Sequence, residues 1–151
     1  MDQIVMTKTY TLILVLFCTS ISFLSFAEQV SSGLTVQVTG AKQNTGQVFL
    51  SLFTSSENYL KDPVFQESLP VDDKGEARFS IDDLDAGTYS VSVFYDQDNN
   101  GKLNTGFLRI PKEPVGFSNN AKGRFGPPGF DKTSFYFEGS KTVSIDLVNV
   151  K

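Results

Sequence analysis

The chain has 151 residues, a net charge of −4, no histidine and a single cysteine, Cys18. Ser-His-Asp and Cys-His nucleophilic machinery, and zinc sites built from histidine or thiolate, therefore lack their residues. The acidic balance argues against nucleic acid as a partner, and the length suits one domain around a single two-layer core.

Lys8 is followed by the apolar run Leu12-Ile13-Leu14-Val15-Leu16-Phe17, and Ser25-Phe26-Ala27 places small residues where a signal peptidase reads. Residues 1–27 are expected to be a secretory signal. An uncleaved anchor is the alternative, but Ser20, Ser22 and Ser25 interrupt the run short of the roughly 20 residues a spanning helix needs. Lipid attachment at Cys18 is the other alternative, and it is disfavoured by the large Phe17 before it and by its place inside the apolar run. The mature domain is then residues 28–151. It has no cysteine and hence no disulfide, no transmembrane span, and a periplasmic or secreted destination.

After Gly33 the hydrophobic period is two. Residues 34–38, 48–52, 77–81, 89–95, 133–137 and 143–147 alternate apolar with polar side chains and read as half-buried strands. Short strands divided by Gly, Asp and Asn turns predict an all-β, immunoglobulin-like or transthyretin-like sandwich of about seven strands. One interruption has the spacing of a helix capping box, Thr54-Ser55-Ser56-Glu57, and predicts one or two helical turns ending before Pro63, with Tyr59 and Leu60 folded back on the sheet. The phrase Leu84-Asp85-Ala86-Gly87-Thr88-Tyr89, leading into alternating valines and an acidic loop, resembles the turn and strand of transthyretin-like or prealbumin-like sandwich domains. That resemblance implies a Tyr89 ring held near one end of the sandwich.

The strand at 89–95 runs into Asp96-Gln97-Asp98-Asn99-Asn100-Gly101-Lys102-Leu103-Asn104, where oxygen-bearing side chains recur at every second position around a glycine. This is calcium-loop spacing. Asp96, Asp98 and Asn100 can converge on one ion, Lys102 can offer its carbonyl, and Asn104 can reach back directly or through water. The twelfth position holds Phe107 where an EF-hand has its bidentate glutamate, and no helix pattern flanks the loop. Any Ca²⁺ site therefore needs ligands from elsewhere, with Asp82, Asp83 or Asp85 at the preceding turn as candidates, and an affinity on the order of 10⁻⁴ to 10⁻³ M. The alternative is a plain polar hairpin with a type I′ turn at Asn100-Gly101.

Residues 107–130 form one long Gly/Pro/Phe-rich loop in this reading. Arg109, Lys112, Lys122 and Arg124 against Glu113 give it a net charge of +3, which leaves −7 for the remainder of the chain. A basic, aromatic projection on an acidic body is suited to recognition, with Arg109, Lys112, Phe117, Lys122, Arg124 and Phe125 as the partner-binding candidates. The structural alternative is that Phe117 and Phe125 cap an open end of the sandwich, with Gly123, Gly126 and Gly129 permitting tight bends and Pro127-Pro128 stiffening the return. Arg109 and Arg124 then remain at the surface or pair with the acidic turn and fold the loop over the Asp96 site.

The run Asp98-Asn99-Asn100-Gly101-Lys102-Leu103-Asn104-Thr105, followed by Ile110-Pro111-Lys112-Glu113-Pro114, Gly116-Phe117-Ser118-Asn119-Asn120-Ala121 and Gly123-Arg124-Phe125-Gly126-Pro127-Pro128, resembles the bacterial family filed as domain of unknown function 2141. The resemblance implies a secreted or periplasmic single-domain sandwich and carries no activity and no catalytic residue. The expected function is a non-enzymatic binding or structural module of the cell envelope, with an envelope protein or glycan as partner. The alternative is a glycan hydrolase using paired carboxylates from Asp85, Asp96 and Asp98.

Overall fold

Alternation places successive side chains on opposite faces of a strand, and the alternating segments of this chain pair into two sheets. The computed structural model describes residues 33–150; the expected leader, with Cys18, lies outside them. Strand β1 (Gly33–Thr39) is the centre of a three-stranded sheet, flanked by antiparallel β4 (Ala77–Ile81) and parallel β8 (Ser140–Asp146). The second sheet has the order β3 (Phe65–Pro70), β2 (Gln47–Phe53), β5 (Gly87–Asp96) and β6 (Val115–Phe117), with β7 (Phe135–Phe137) paired to the first three residues of β5.

The two sheets face each other across one buried cluster. Leu34, Val36 and Val38 of β1, Phe79 of β4 and Ile145 of β8 meet Val48, Leu50 and Leu52 of β2 and Val91, Val93 and Tyr95 of β5. Each such side chain contributes about 1.5–3 kcal/mol when fully buried, and without a disulfide in residues 33–150 this packing is the main source of stability. Along one edge the sandwich is closed by backbone: Val115 and Val148 exchange hydrogen bonds of 3.0 and 2.9 Å. Gly116 makes that approach feasible, since a Cβ there would sit 2.5 Å from Ile145 Cγ2 and 3.0 Å from Val93 Cγ2.

This is the expected all-β sandwich, with eight strands rather than about seven. Two strands were not anticipated from alternation. Strand β3 carries Glu67, Ser68 and Pro70 and pairs only with β2, an edge position that tolerates polar residues and proline. Strand β6 has three residues, too few to show a period. The segment expected to be strand from 133 begins instead in a one-turn helix, α1 (Phe130–Thr133), and the last strand starts earlier, at Ser140.

The helical turns expected at 54–60 are replaced by irregular turns. Asn58 takes the capping role: its Oδ1 accepts from Ser55 N at 3.1 Å and its Nδ2 donates to Thr54 Oγ1 at 3.1 Å, while Glu57 accepts from the neighbouring Ser56 hydroxyl. Such local bonds compete with a helix. Tyr59 nevertheless folds back as expected, edge-on to Phe53 and Phe130 at 5.4 and 5.9 Å, whereas Leu60 is exposed.

At the start of β5 the buried Tyr89 ring donates its hydroxyl to the carbonyl of Asp85 at 2.9 Å, a tyrosine corner of the type found in sandwich domains. At the β3–β4 turn, Asp72 Oδ1 accepts from the backbone N–H groups of Lys74 and Glu76 at 2.9 and 2.8 Å. The Glu76 N–H foremost, with help from Lys74, holds the Asp72 carboxyl below its ordinary value. A depressed carboxyl pKa adds stability above the unfolded value, about pH 4, which is lost as pH falls through the folded value. Asp72→Asn is therefore expected to show a shallower fall in melting temperature below about pH 4 than the parent protein, as read by thermal melts of both across an acid series.

Candidate functional site

Strand β5 is ten residues long and spans roughly 30 Å. Its last residue, Asp96, is fully buried. A buried carboxylate requires donors, and the following loop supplies them. Asp96 Oδ1 accepts from Asn100 N at 3.1 Å, and Oδ2 accepts from Gly101 N at 2.8 Å and from Gln47 Nε2 at 3.3 Å. The sharp return places Asn99 and Gly101 at positive φ, 56° and 75°. Asn100 is not among the positive-φ residues, so the two-residue type I′ hairpin does not form.

A second buried carboxylate holds the loop at both ends. Glu113 Oε1 accepts from Gln97 N at 2.9 Å and Oε2 from Asn104 N at 2.8 Å. Ligand oxygens of Asp96, Asp98 and Glu113 all lie within 4.8 Å of one another, with Asp98 exposed and the other two buried. This cluster can hold a metal ion. Beside it an open cleft of about 320 Å³ is lined by Gln97, Asp98, Asn104, Thr105, Lys112 and Glu113.

Of the ligands expected from spacing, the structure brings together Asp96 and Asp98. Asn100 and Asn104 serve as hydrogen-bond partners within the loop: Asn100 Nδ2 donates to Asn104 Oδ1 at 3.0 Å, Asn100 Oδ1 accepts from Lys102 N at 2.8 Å, and Asn104 Nδ2 donates to Asp98 Oδ2 at 2.9 Å. The Asn104 amide above all, with Asn100, holds the Asp98 carboxyl below its ordinary value. The carboxylate that joins Asp96 and Asp98 in the cluster is Glu113, not Asp82, Asp83 or Asp85. Those three precede β5 and lie at its opposite end, so Asp85 is also not brought to Asp96 and Asp98 as a hydrolytic pair. Glu113 had one visible signal in the sequence, as the lone acid in an otherwise basic segment between Pro111 and Pro114. Its partners are 16 and nine residues away, beyond the reach of a spacing rule.

Residues 107–130 are not one projection. β6 and a 3₁₀ turn at Ser118–Asn120 pin the middle of the segment to the sandwich. Ser118 is buried, its Oγ accepting from Val91 N at 2.9 Å and donating to Thr133 O at 2.5 Å, and Asn120 Oδ1 accepts from Asp146 N at 2.8 Å. Two separate tips remain. One is the hairpin 105–111, closed by the Thr105–Pro111 bridge and by Gly106 N donating to Ile110 O at 2.8 Å. The other carries Lys122, Arg124 and Phe125. Phe117 lies half-buried on β6, whereas Phe125 is 96 % exposed and caps nothing; Arg124 sits over its ring at 5.6 Å. Arg109, Lys112, Lys122 and Arg124 are all exposed and form no ion pair among the described residues, so neither arginine folds a tip over the Asp96 loop.

The family model described as an uncharacterised protein conserved in bacteria, DUF2141, matches residues 36–145. The chain belongs to this family. The match takes in all or most of every strand and includes Asp96, Asp98 and Glu113. No curated protein and no solved structure matches the chain. Among the described residues no helix is long and apolar enough to cross a membrane.

The staple formed by Glu113 can be measured. Glu113→Gln leaves one acceptor and turns an amide N–H₂ toward the second backbone donor, so one part-buried N–H loses its partner. The variant is expected to lose about 1–3 kcal/mol of stability in denaturant titration, with faster amide hydrogen exchange confined to Gln97, Asn104 and the loop between them.

Proposed function

We propose that this DUF2141 protein is an exported, non-enzymatic module of the bacterial cell envelope that binds Ca²⁺ weakly at the Asp96 loop and presents its basic tips to an envelope partner. The observation that carries the calcium reading is the convergence of Asp96, Asp98 and Glu113, three hard oxygen donors of which two are buried. Carboxylates this close repel one another, and six N–H donors, of which Asn100 N is shared between Asp96 and Asp98, offset part of that repulsion. Each carboxylate offers about four acceptor directions. Asp96 uses three, Asp98 two and Glu113 two, so lone pairs remain for a cation. A divalent ion with flexible oxygen coordination suits that donor set, and a site left partly open to a cleft suits the weak affinity of extracellular modules.

Calcium that binds only the folded form adds about 1.4 kcal/mol at ten times Kd. Millimolar Ca²⁺ is therefore expected to raise the melting temperature by a few degrees, and Asp98→Asn combined with Glu113→Gln is expected to remove that increment. An equal increment in both proteins, or none in the parent, would count against the site.

The tips carry the partner reading. Four exposed cations without ion partners among the described residues, set with exposed aromatics on a chain of net charge −4, form a surface that meets carboxylates, phosphates or sugars. Neutralising Arg109, Lys112, Lys122 and Arg124 together is expected to abolish retention on purified cell envelopes while the circular dichroism spectrum and melting temperature stay unchanged. Undiminished retention would reject the tips as the binding surface.

A further inference from the structure

Apolar side chains on the surface of a single domain are ordinary when scattered, but a contiguous exposed group marks an interaction site. The hairpin 105–111 presents such a group: Phe107 is 85 % exposed, Leu108 75 %, and Ile110 is exposed as well. Arg109 lies between them and Lys112 follows at the base, both exposed. Leu108 and Arg109 hold φ of 57° and 58°, the left-handed region that side chains of this type avoid. The stem is tied down by Gly106 N to Ile110 O and by Lys112 N to Asn104 O, each 2.8 Å, and Asn104 N is in turn held by Glu113. A rigid base thus supports a convex tip whose apolar side chains are left largely in solvent.

We infer that this tip is a wedge that enters the interface of an anionic phospholipid membrane. Size and charge choose the occupant. A stable protein interface buries about 800 Å² on each partner, far more than the few residues of a hairpin tip present. A bilayer needs no complementary shape: it accepts a few apolar side chains at the acyl boundary and holds adjacent cations at its phosphates. Arg109 and Lys112 are exposed beside Phe107 and Leu108 in the same hairpin, and long basic side chains reach outward to the headgroups readily. The second tip has one apolar aromatic residue, Phe125, and is not required. The inference rests on the tips being the binding surface and names the partner of one of them.

The chain contains no tryptophan, so a substituted one reports alone. Phe107→Trp is the probe, and Tyr136→Trp is the control, because Tyr136 is exposed on β7 opposite Thr88, at the other end of β5. With phosphatidylglycerol-rich vesicles at low salt, the emission of the F107W protein is expected to shift to the blue and be quenched by brominated acyl chains, while that of the Y136W protein is unmoved. Adding Arg109→Gln and Lys112→Gln to the probe protein is expected to weaken vesicle binding roughly 30-fold. Adding Leu108→Ser and Ile110→Ser instead is expected to weaken it by about as much. Raised salt should act like the charge removal. These positions are exposed, and unchanged melting temperatures would show that the variants fold.

No shift of the F107W emission with any vesicle overturns the inference, as does equal binding to pure phosphatidylcholine, which would remove the anionic requirement. If the F107W probe ignores lipid but shifts on delipidated envelope protein, and the fourfold neutralised variant does not bind that protein, the lipid assignment falls while the proposed binding role stands. If neither lipid nor delipidated envelope moves the probe, and neutralisation leaves envelope retention intact, both fall.

Discussion

Asp96 sits fully buried at the end of the central strand, and a carboxylate in that position must be surrounded by donors. Much of the local architecture follows from that requirement. The chain turns sharply so that Asn100 and Gly101 present their N–H groups to it, and Gln47 reaches across from β2. The turn leaves the N–H groups of Gln97 and Asn104 aimed at the same side, where Glu113 accepts both. Two buried anions therefore organise one loop by hydrogen bonding alone, and a cation would add to an arrangement already in place.

The same strand ties the site to the rest of the sandwich. β5 is paired along one side with β2 and along the other with β6 and β7, so neither of its ends is free to move. One end is fixed by the Tyr89 corner and the other by Asp96. Chain leaving the acidic loop forms the hairpin 105–111 and returns through Glu113 directly into β6, which exchanges backbone hydrogen bonds with Val148 near the C-terminal end. The acidic loop and the apolar tip consequently share one rigid base, in which Asn104 contacts both.

Polar satisfaction also explains why the long Gly/Pro/Phe segment is divided. Ser118 is buried against β5, accepting from Val91 N and donating to Thr133 O, and Asn119 Nδ2 donates to the carbonyls of Lys132 and Ser134. These residues read as loop formers, yet here they continue the sheet's hydrogen bonding where β6 ends. Only the stretches on either side of this anchor project, and each places an aromatic residue in solvent.

Alternating side chains in 34–38, 48–52, 77–81 and 89–95 were sufficient to predict the sheets, because period two is a local property that one strand displays by itself. The acidic loop was legible for the same reason: Asp96 and Asp98 lie two residues apart, and Gly101 marks the bend. Strand β3 was not legible, since an edge strand with one partner is held by pairing rather than by its own pattern. Nor was the role of Glu113, whose donors lie up to 16 residues earlier, nor the choice between a capping and an exposed Phe125, since burial depends on what the fold brings opposite a side chain. Local periodicity and turn chemistry determined the class of fold and the presence of an acidic loop. Tertiary structure alone decided which distant carboxylate completes the cluster and which apolar residues face solvent, because those outcomes depend on contacts between segments that the sequence keeps apart.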